Sequence, residues 1–211
     1  MALIVNEKIA HATTLGIWGK DEELSVLETV FPLKDEETEQ YLKISNLERK
    51  KEWLTVRILF AELLQKRIEI SYTEHNKPFI VNSNLNISIS HSHDFVAVII
   101  SNNYFPGVDI EKISERVSRI KHKFLNTEEL DWCTDIEKQT ICWSAKESVF
   151  KIFEKELDFH DMMVSKFEFD ADKGHFTIRV IKKGYEKSYP VYYRIIEDNI
   201  LTYCVSKMPV S

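Results

Sequence analysis

The sequence predicts an α+β protein of two similar lobes in one compact body, and three observations carry that reading. The order strand, helices, strands occurs twice along the chain, with the join near residues 102–107. Hydrophobic residues make up 44% of the 211 positions, enough for a sizeable core. Five Gly and five Pro are spread along the chain and no Ser- or Gly-rich linker interrupts it, so any division into lobes has to be compact. The expected division is an N-terminal lobe at 1–104 and a C-terminal lobe at 105–211.

The elements follow in order. "ALIVNEKIAHATTLGIW" reads as a strand, and "DEELSVLETVF" as a short helix behind an acidic turn. "DEETEQYLKI" and "NLERKKEWLTVRILFAELLQKR" read as helices, the second with Trp53, Leu54, Ile58, Ala61, Leu63 and Leu64 at mixed three- and four-residue spacing. "KPFIV" and "NISISHS" look extended, and "FVAVIIS" is a short apolar run of the buried-strand kind. "NNYFPG" reads as a loop and "GVDIE" as the next strand. A second helical stretch runs from about Lys112 through "TEELDW" to "WSAKESVFKIFEK". The strands "SKFEFD", "HFTIRVI", "YPVYYRII" and "ILTYCVSK" close the chain.

Composition excludes several classes of function. A net charge of −6 argues against general affinity for nucleic acid or an anionic membrane. The longest apolar run, "FVAVII", is far too short to span a bilayer and the N-terminus carries no leader pattern, so a cytoplasmic protein is expected. Cys133, Cys142 and Cys204 are odd in number and widely spaced, which fits buried thiols rather than disulfides or a zinc site. Residues 43–67 are the basic region, and a subset there could line a phosphate pocket.

The residues that carry chemistry lie in the middle of the chain. In "GVDIE", Asp109 and Glu111 stand two apart on a strand, which sends both carboxylates to one face about 7 Å apart and turns Val108 and Ile110 to the core. Two such carboxylates are either a solvent-facing acid pair or the hard-oxygen part of a Mg²⁺ site. Glu147 is a candidate third ligand: Trp143, Glu147 and Lys151 follow at i, i+4 and i+8 along one side of a helix. A divalent ion beside the Lys151 ammonium is what phosphoanhydride cleavage requires, whereas a plain surface Glu–Lys pair leaves the aromatic surroundings unexplained. At the end of "NISISHS", Ser90 and His91 can donate to phosphate oxygens. His91, His93 and Asp94 make a poor zinc pattern, with no third ligand at metal spacing.

Together these pieces resemble the Sfp-type 4′-phosphopantetheinyl transferases. "GVDIE" at 107–111 matches the family's G-[IV]-D-x-E, and "WSAKESVFK" at 143–151 its W-[ST]-x-K-E-x-x-x-K. "NKPFI", with Lys77-Pro78, and "ISISHS" match upstream, with Asn76 where the family commonly has Gly. The resemblance implies a pseudo-dimer of two similar α/β lobes with the active site in the cleft between them. It implies an enzyme of the holo-acyl-carrier-protein synthase type, which moves 4′-phosphopantetheine from coenzyme A to a carrier-protein serine and releases adenosine 3′,5′-bisphosphate. Asp109, Glu111 and Glu147 would bind Mg²⁺, and Lys151 would assist the leaving group. Ser90, His91, Lys77, Arg57 and, more weakly, Arg49 and Lys50 would contact coenzyme A. Glu128 matches a position proposed as a base near the attacking serine, or else simply starts a helix. Lys146 is left to reach either the coenzyme A phosphates or solvent.

An acidic acyl or peptidyl carrier protein would dock near residues 112–125, where Lys112, Arg116, Arg119, Lys121 and Lys123 are basic and Ile113, Val117, Ile120 and Phe124 recur at helical spacing. The apolar stripe could equally face the enzyme's own core. The length suits a monomer with both lobes in one chain. Two other classes stay open: a metal-dependent nucleotide hydrolase or phosphotransferase, and a non-catalytic homologue that binds coenzyme A or a carrier.

Overall fold

The computed structural model describes residues 3–153 and 157–207. Its first half contains β1 (Leu3–Ala10), β2 (Thr13–Gly19), α1 (Leu24–Val30), α2 (Asp35–Leu42), α3 (Leu47–Leu64), β3 (Ile70–Tyr72), β4 (Pro78–Ile80), β5 (Asn86–His91) and β6 (Phe95–Ser101). Its second contains β7 (Phe105–Lys112), α4 (Glu115–Ile120), α5 (Thr127–Trp132), α6 (Ile136–Phe150), β8 (Met162–Val164), β9 (Lys173–Lys182), β10 (Tyr185–Ile196) and β11 (Asn199–Ser206). Strands of the first half form a sheet of order β1-β2-β6-β5, and those of the second a sheet of order β7-β11-β10-β9-β8; β3 and β4 pair separately.

These elements stack in four layers, because both faces of each main sheet are apolar. One face of the first sheet, with Trp18, Val96, Val98 and Ile100, packs on Leu54, Ile58 and Leu59 of α3. Its other face, with Leu15, Ile17, Ala97 and Ile99, meets Val108, Ile110, Leu201 and Tyr203 of the second sheet. The far side of that second sheet, with Ile178, Val180, Val191 and Ile200, is covered by Ile141, Cys142, Ala145 and Val149 of α6. The continuous burial of β6 follows from this sandwiching. Each lobe is thus a sheet backed by a helix, and the two lie sheet to sheet, as the α+β reading expected.

The structure departs from the sequence reading at several elements. The first strand is a hairpin: β1 and β2 pair antiparallel with Ala10 opposite Thr13, around a His11–Ala12 turn in which Ala12 adopts φ 50°. Neither residue is a usual turn former, so the break left no Gly or Asn mark. Phe105 and Pro106 belong to β7, not to a loop. "SKFEFD" is not a strand: β8 ends at Val164, and the segment beyond is held by the Tyr193 hydroxyl, which accepts from the Asp170 N–H, with Phe167 buried between Trp132 and Phe176. Phe167 is the one buried residue of the segment, so no alternating face forms there. Helix α6 ends at Phe150, and Glu154 and Lys155 of "WSAKESVFKIFEK" lie outside the described residues. The stripe at 113–124 faces inward: Val117 and Phe124 are buried, with Ile113 and Ile120 packed on the same core. All three cysteines are buried and free.

Candidate functional site

The two lobes meet along the edges of β5 and β7. An edge strand leaves a row of backbone N–H groups without ladder partners. Here the Val108 N–H donates to Ser88 Oγ at 3.0 Å and the Ile110 N–H to Ser90 Oγ at 3.3 Å, so serine hydroxyls stand in for a neighbouring strand. On the other side of β7 lies the C-terminal half of α6. The contact is made at Gly107, where a Cβ atom would fall 1.8 Å from the Ser148 carbonyl oxygen. That collision is with backbone, which cannot rotate away. Gly107→Ala should therefore lower stability by about 1–3 kcal/mol or more in a thermal or urea melt. Gly16→Ala, whose added methyl meets only the ends of the Leu63 and Leu59 side chains, should lose less.

Close approach at Gly107 brings the acid pair of β7 to the end of α6. Lys151, at the C-cap of α6, donates to the Val108 carbonyl and to Asp109 Oδ1, both at 2.8 Å. The Ser90 hydroxyl donates to the same Oδ1 at 2.8 Å. Glu111 Oε1 accepts from the Trp143 indole N–H at 2.9 Å. Burial, then the Asp109 charge, raises the Glu111 carboxyl above its ordinary value against the Trp143 bond. Burial and the Asp109 and Glu111 charges push Glu147 up to about 7, with Lys151 opposing. The three carboxylates therefore feel one another's charge.

Two observations bear on whether this group suits a divalent cation. Among the described residues no set of three His, Cys, Asp or Glu side chains is gathered as closely as metal ligands are. Asp109 Oδ2, however, is buried without any hydrogen-bond partner, beside two further carboxyls whose charge burial disfavours. An orphaned buried carboxylate oxygen is costly unless a cation or donor meets it. The all-oxygen donor set fits a hard ion such as Mg²⁺, with Asp109, Glu111 and Glu147 as the residues to hold it.

Two cavities flank the carboxylates. The smaller, about 170 Å³, is lined by Lys77, Pro78, Phe79, Phe105 and Lys151, with the Lys77 ammonium 6.0 Å from the Phe105 ring centroid. The larger, about 440 Å³, is lined by Lys20, Glu52, His91, Glu111, Arg116 and Trp143. The structure thus gathers Asp109, Glu111, Glu147, Lys151, Ser90, His91 and Lys77 around one seam.

Other residues singled out in the sequence stand elsewhere. Lys146 is a correction: it is fully buried, bonded to Glu129 Oε2 at 2.7 Å and to the carbonyls of Phe124 and Phe159, so it reaches neither phosphates nor solvent. The Arg57 guanidinium is buried, stacked 3.3 Å from the Trp53 ring centroid and donating to the Trp53 carbonyl. Arg49 is the exception: exposed in the first turn of α3, it stands close enough for its charge to act on the His91 imidazole, whereas the Lys50 ammonium lies over the Tyr41 ring. Glu128 is exposed at the start of α5, whose cap is Asn126, and lines neither cavity. Trp143 was legible as standing one turn before Glu147; Glu52 and Lys20 carried no motif at all.

Two α/β lobes joined sheet to sheet, with an acidic cluster and a lysine at the seam, define the class of two-lobed α+β proteins with a cleft site. Residues 106–204 match the model of the 4′-phosphopantetheinyl transferase superfamily. That stretch contains both "GVDIE" and "WSAKESVFK", so the family resemblance read from the motifs is borne out. The chain is also similar to the 4′-phosphopantetheinyl transferase gsp of Aneurinibacillus migulanus, 29% identical over 125 residues, which are 56% of this chain and 50% of that protein. The match thus spans about half the length of this curated relative.

Proposed function

We propose that the protein transfers 4′-phosphopantetheine from coenzyme A to a serine of an acyl or peptidyl carrier protein, as a Mg²⁺-dependent cytoplasmic monomer with lobes at 1–104 and 105–211. The observation that carries the reading is the Lys151 ammonium on Asp109 Oδ1 beside the partnerless Oδ2 and the raised carboxyl of Glu147. The carrier serine Oγ forms a bond to the β-phosphorus of coenzyme A, and the bond from that phosphorus to the bridging oxygen breaks. Adenosine 3′,5′-bisphosphate leaves with the electron pair, and the serine proton is released. Asp109, Glu111 and Glu147 would hold a Mg²⁺ ion, which when bound would offset charge on the pyrophosphate. Lys151, held between α6 and β7, presents a positive charge where the leaving oxygen develops its own. Ser90 keeps Asp109 oriented, while His91 and Lys77 face the cavities on either side.

Carrier docking is assigned to the basic half of residues 112–125. Arg116, Arg119 and Lys123 are exposed there, and Arg116 lines the larger cavity, while the apolar stripe serves the core. Among the described residues no helix is long and apolar enough to cross a membrane. Incubation with Mg²⁺, coenzyme A and apo-carriers should add one phosphopantetheine mass to the carrier. Nucleotide hydrolysis without any mass gain on carriers of fatty-acid, polyketide or peptide type would replace this reading with that of a hydrolase.

A further inference from the structure

We propose that the turn between α2 and α3 is a docking corner for the carrier protein, at which Leu42 and Leu47 supply the apolar anchor that the basic helix α4 lacks and the partner presents an acidic surface around an apolar patch. The inference rests on the carrier reading of the function and adds the surface that recognises the carrier.

Among the described residues Leu42, 70% exposed, and Leu47, 65% exposed, are the most exposed of the large apolar side chains. Leu42 ends α2 and Leu47 starts α3, so the two stand at either end of one short turn. That turn is held from both sides. The Ile44 N–H donates to the Tyr41 carbonyl at 3.1 Å, and the Arg49 N–H to Asn46 Oδ1 at 3.0 Å. Beside it Tyr41 is buried, its ring centroid 5.5 Å from that of Trp53 and 4.6 Å from the Lys50 ammonium. Two leucines kept in water by a fixed turn are an apolar surface already arranged for a partner, so little ordering is left to be done on binding.

The corner stands at the larger cavity. Glu48, next to Leu47, lines that cavity, and the Arg49 charge acts on the His91 imidazole in its wall. From the second lobe Arg116 and Ile120 of α4 line the same cavity. A serine that reaches the carboxylates through this opening brings its own protein against both rims. On the α4 rim the exposed side chains Arg116 and Arg119 are charged, whereas Val117 and Ile120 pack on the core. That rim steers an acidic partner but offers nothing apolar to cover. On the α3 rim the acidic stretch of α2 ends at Glu39, and residues 43–51 carry Lys43, Arg49, Lys50 and Lys51 against Glu48 alone. In a chain of net charge −6, positive charge on both rims of one opening selects an acidic protein surface.

The test is transfer by the intact protein, with apo-carrier varied at saturating coenzyme A. Leu42→Ser/Leu47→Ser should raise the KM for the carrier roughly tenfold and leave kcat and the calorimetric affinity for coenzyme A unchanged. Lys43→Glu should raise the same KM at low salt and much less at high salt. A carrier KM equal to the wild type's in either variant at low salt overturns the proposal. Weaker coenzyme A binding by the leucine variant overturns it too, because the leucines would then serve the nucleotide. So does a wild-type dimer in sedimentation velocity, or wild-type binding to phosphatidylserine vesicles, that the leucine variant loses, since the corner would then belong to a second copy or to a membrane. A wild type that modifies no apo-carrier removes the transfer reading and the docking corner together, whereas normal transfer by the leucine variant removes the docking corner alone.

Discussion

Lys146→Met should destabilise the protein by about 3–5 kcal/mol, measured by urea unfolding at neutral pH. Lys146 and Glu129 are both buried, and breaking a buried ion pair leaves one charge uncompensated in the interior. The pair is satisfied on both sides. Lys146 Nζ donates to Glu129 Oε2 and to the Phe124 and Phe159 carbonyls. Glu129 accepts from the Val164 N–H at Oε1 and from the Asn126 N–H at Oε2, the latter closing the capping box of α5. One ammonium therefore joins α6, the end of the turn before α5, the turn at Phe159–Asp161 and the start of α5. Burial lowers the Lys146 pKa and Glu129 opposes the shift, so the charge depends on its partner. The Lys146→Met/Glu129→Leu variant should be less destabilised than the sum of its singles, since no charge is then left alone. It should not recover fully, because the Val164 and Asn126 N–H groups lose their acceptor. Additive singles would show that the two side chains do not act as a pair.

What the sequence disclosed and what it hid divide along physical lines. Local periodicity disclosed β6, α3 and α6, because in each the burial is set by the element's own apolar residues. The period of two along "GVDIE" correctly sent Val108 and Ile110 into the layer between the sheets, leaving Asp109 and Glu111 toward α6. Tertiary partners were not legible. Lys146 and Arg57 read as cations free for ligands, since nothing local announced Glu129 or the Trp53 ring as their partners. Ser88 and Ser90, polar residues of β5, are both buried, because the edge of β7 uses their hydroxyls. Glu52 was one acid in a charged helix until β2 and β5 brought Lys20 and His91 to it. The His11–Ala12 turn was hidden because its conformation is imposed by the pairing on either side.

Glu147→Gln should abolish transfer, by at least about 100-fold, while making the chelator-treated protein more stable at alkaline pH. Burial, then the charges of Asp109 and Glu111, raise this carboxyl from 4.5 to about 7 in the folded protein. Its place in the last turn of α6, at the negative end of the helix, acts in the same direction. A raised folded-state value means that the folded protein binds the proton more tightly than the unfolded chain. The stability that this contributes is complete below about pH 4.5 and is lost as the pH rises through 7. Glutamine keeps the shape and carries no charge at any pH. In EDTA, the variant's unfolding free energy should therefore fall less steeply between pH 4.5 and 7 than the wild type's, and exceed it at pH 8. Adding MgCl₂ at pH 8 should reverse the order, because the ion stabilises the form that binds it, and the wild type alone has all three charges. Above neutral pH the carboxylates thus cost the metal-free fold stability, a cost that a bound cation would offset. Near-normal transfer by Glu147→Gln, or a Mg²⁺ response equal to the wild type's, would take Glu147 out of the site.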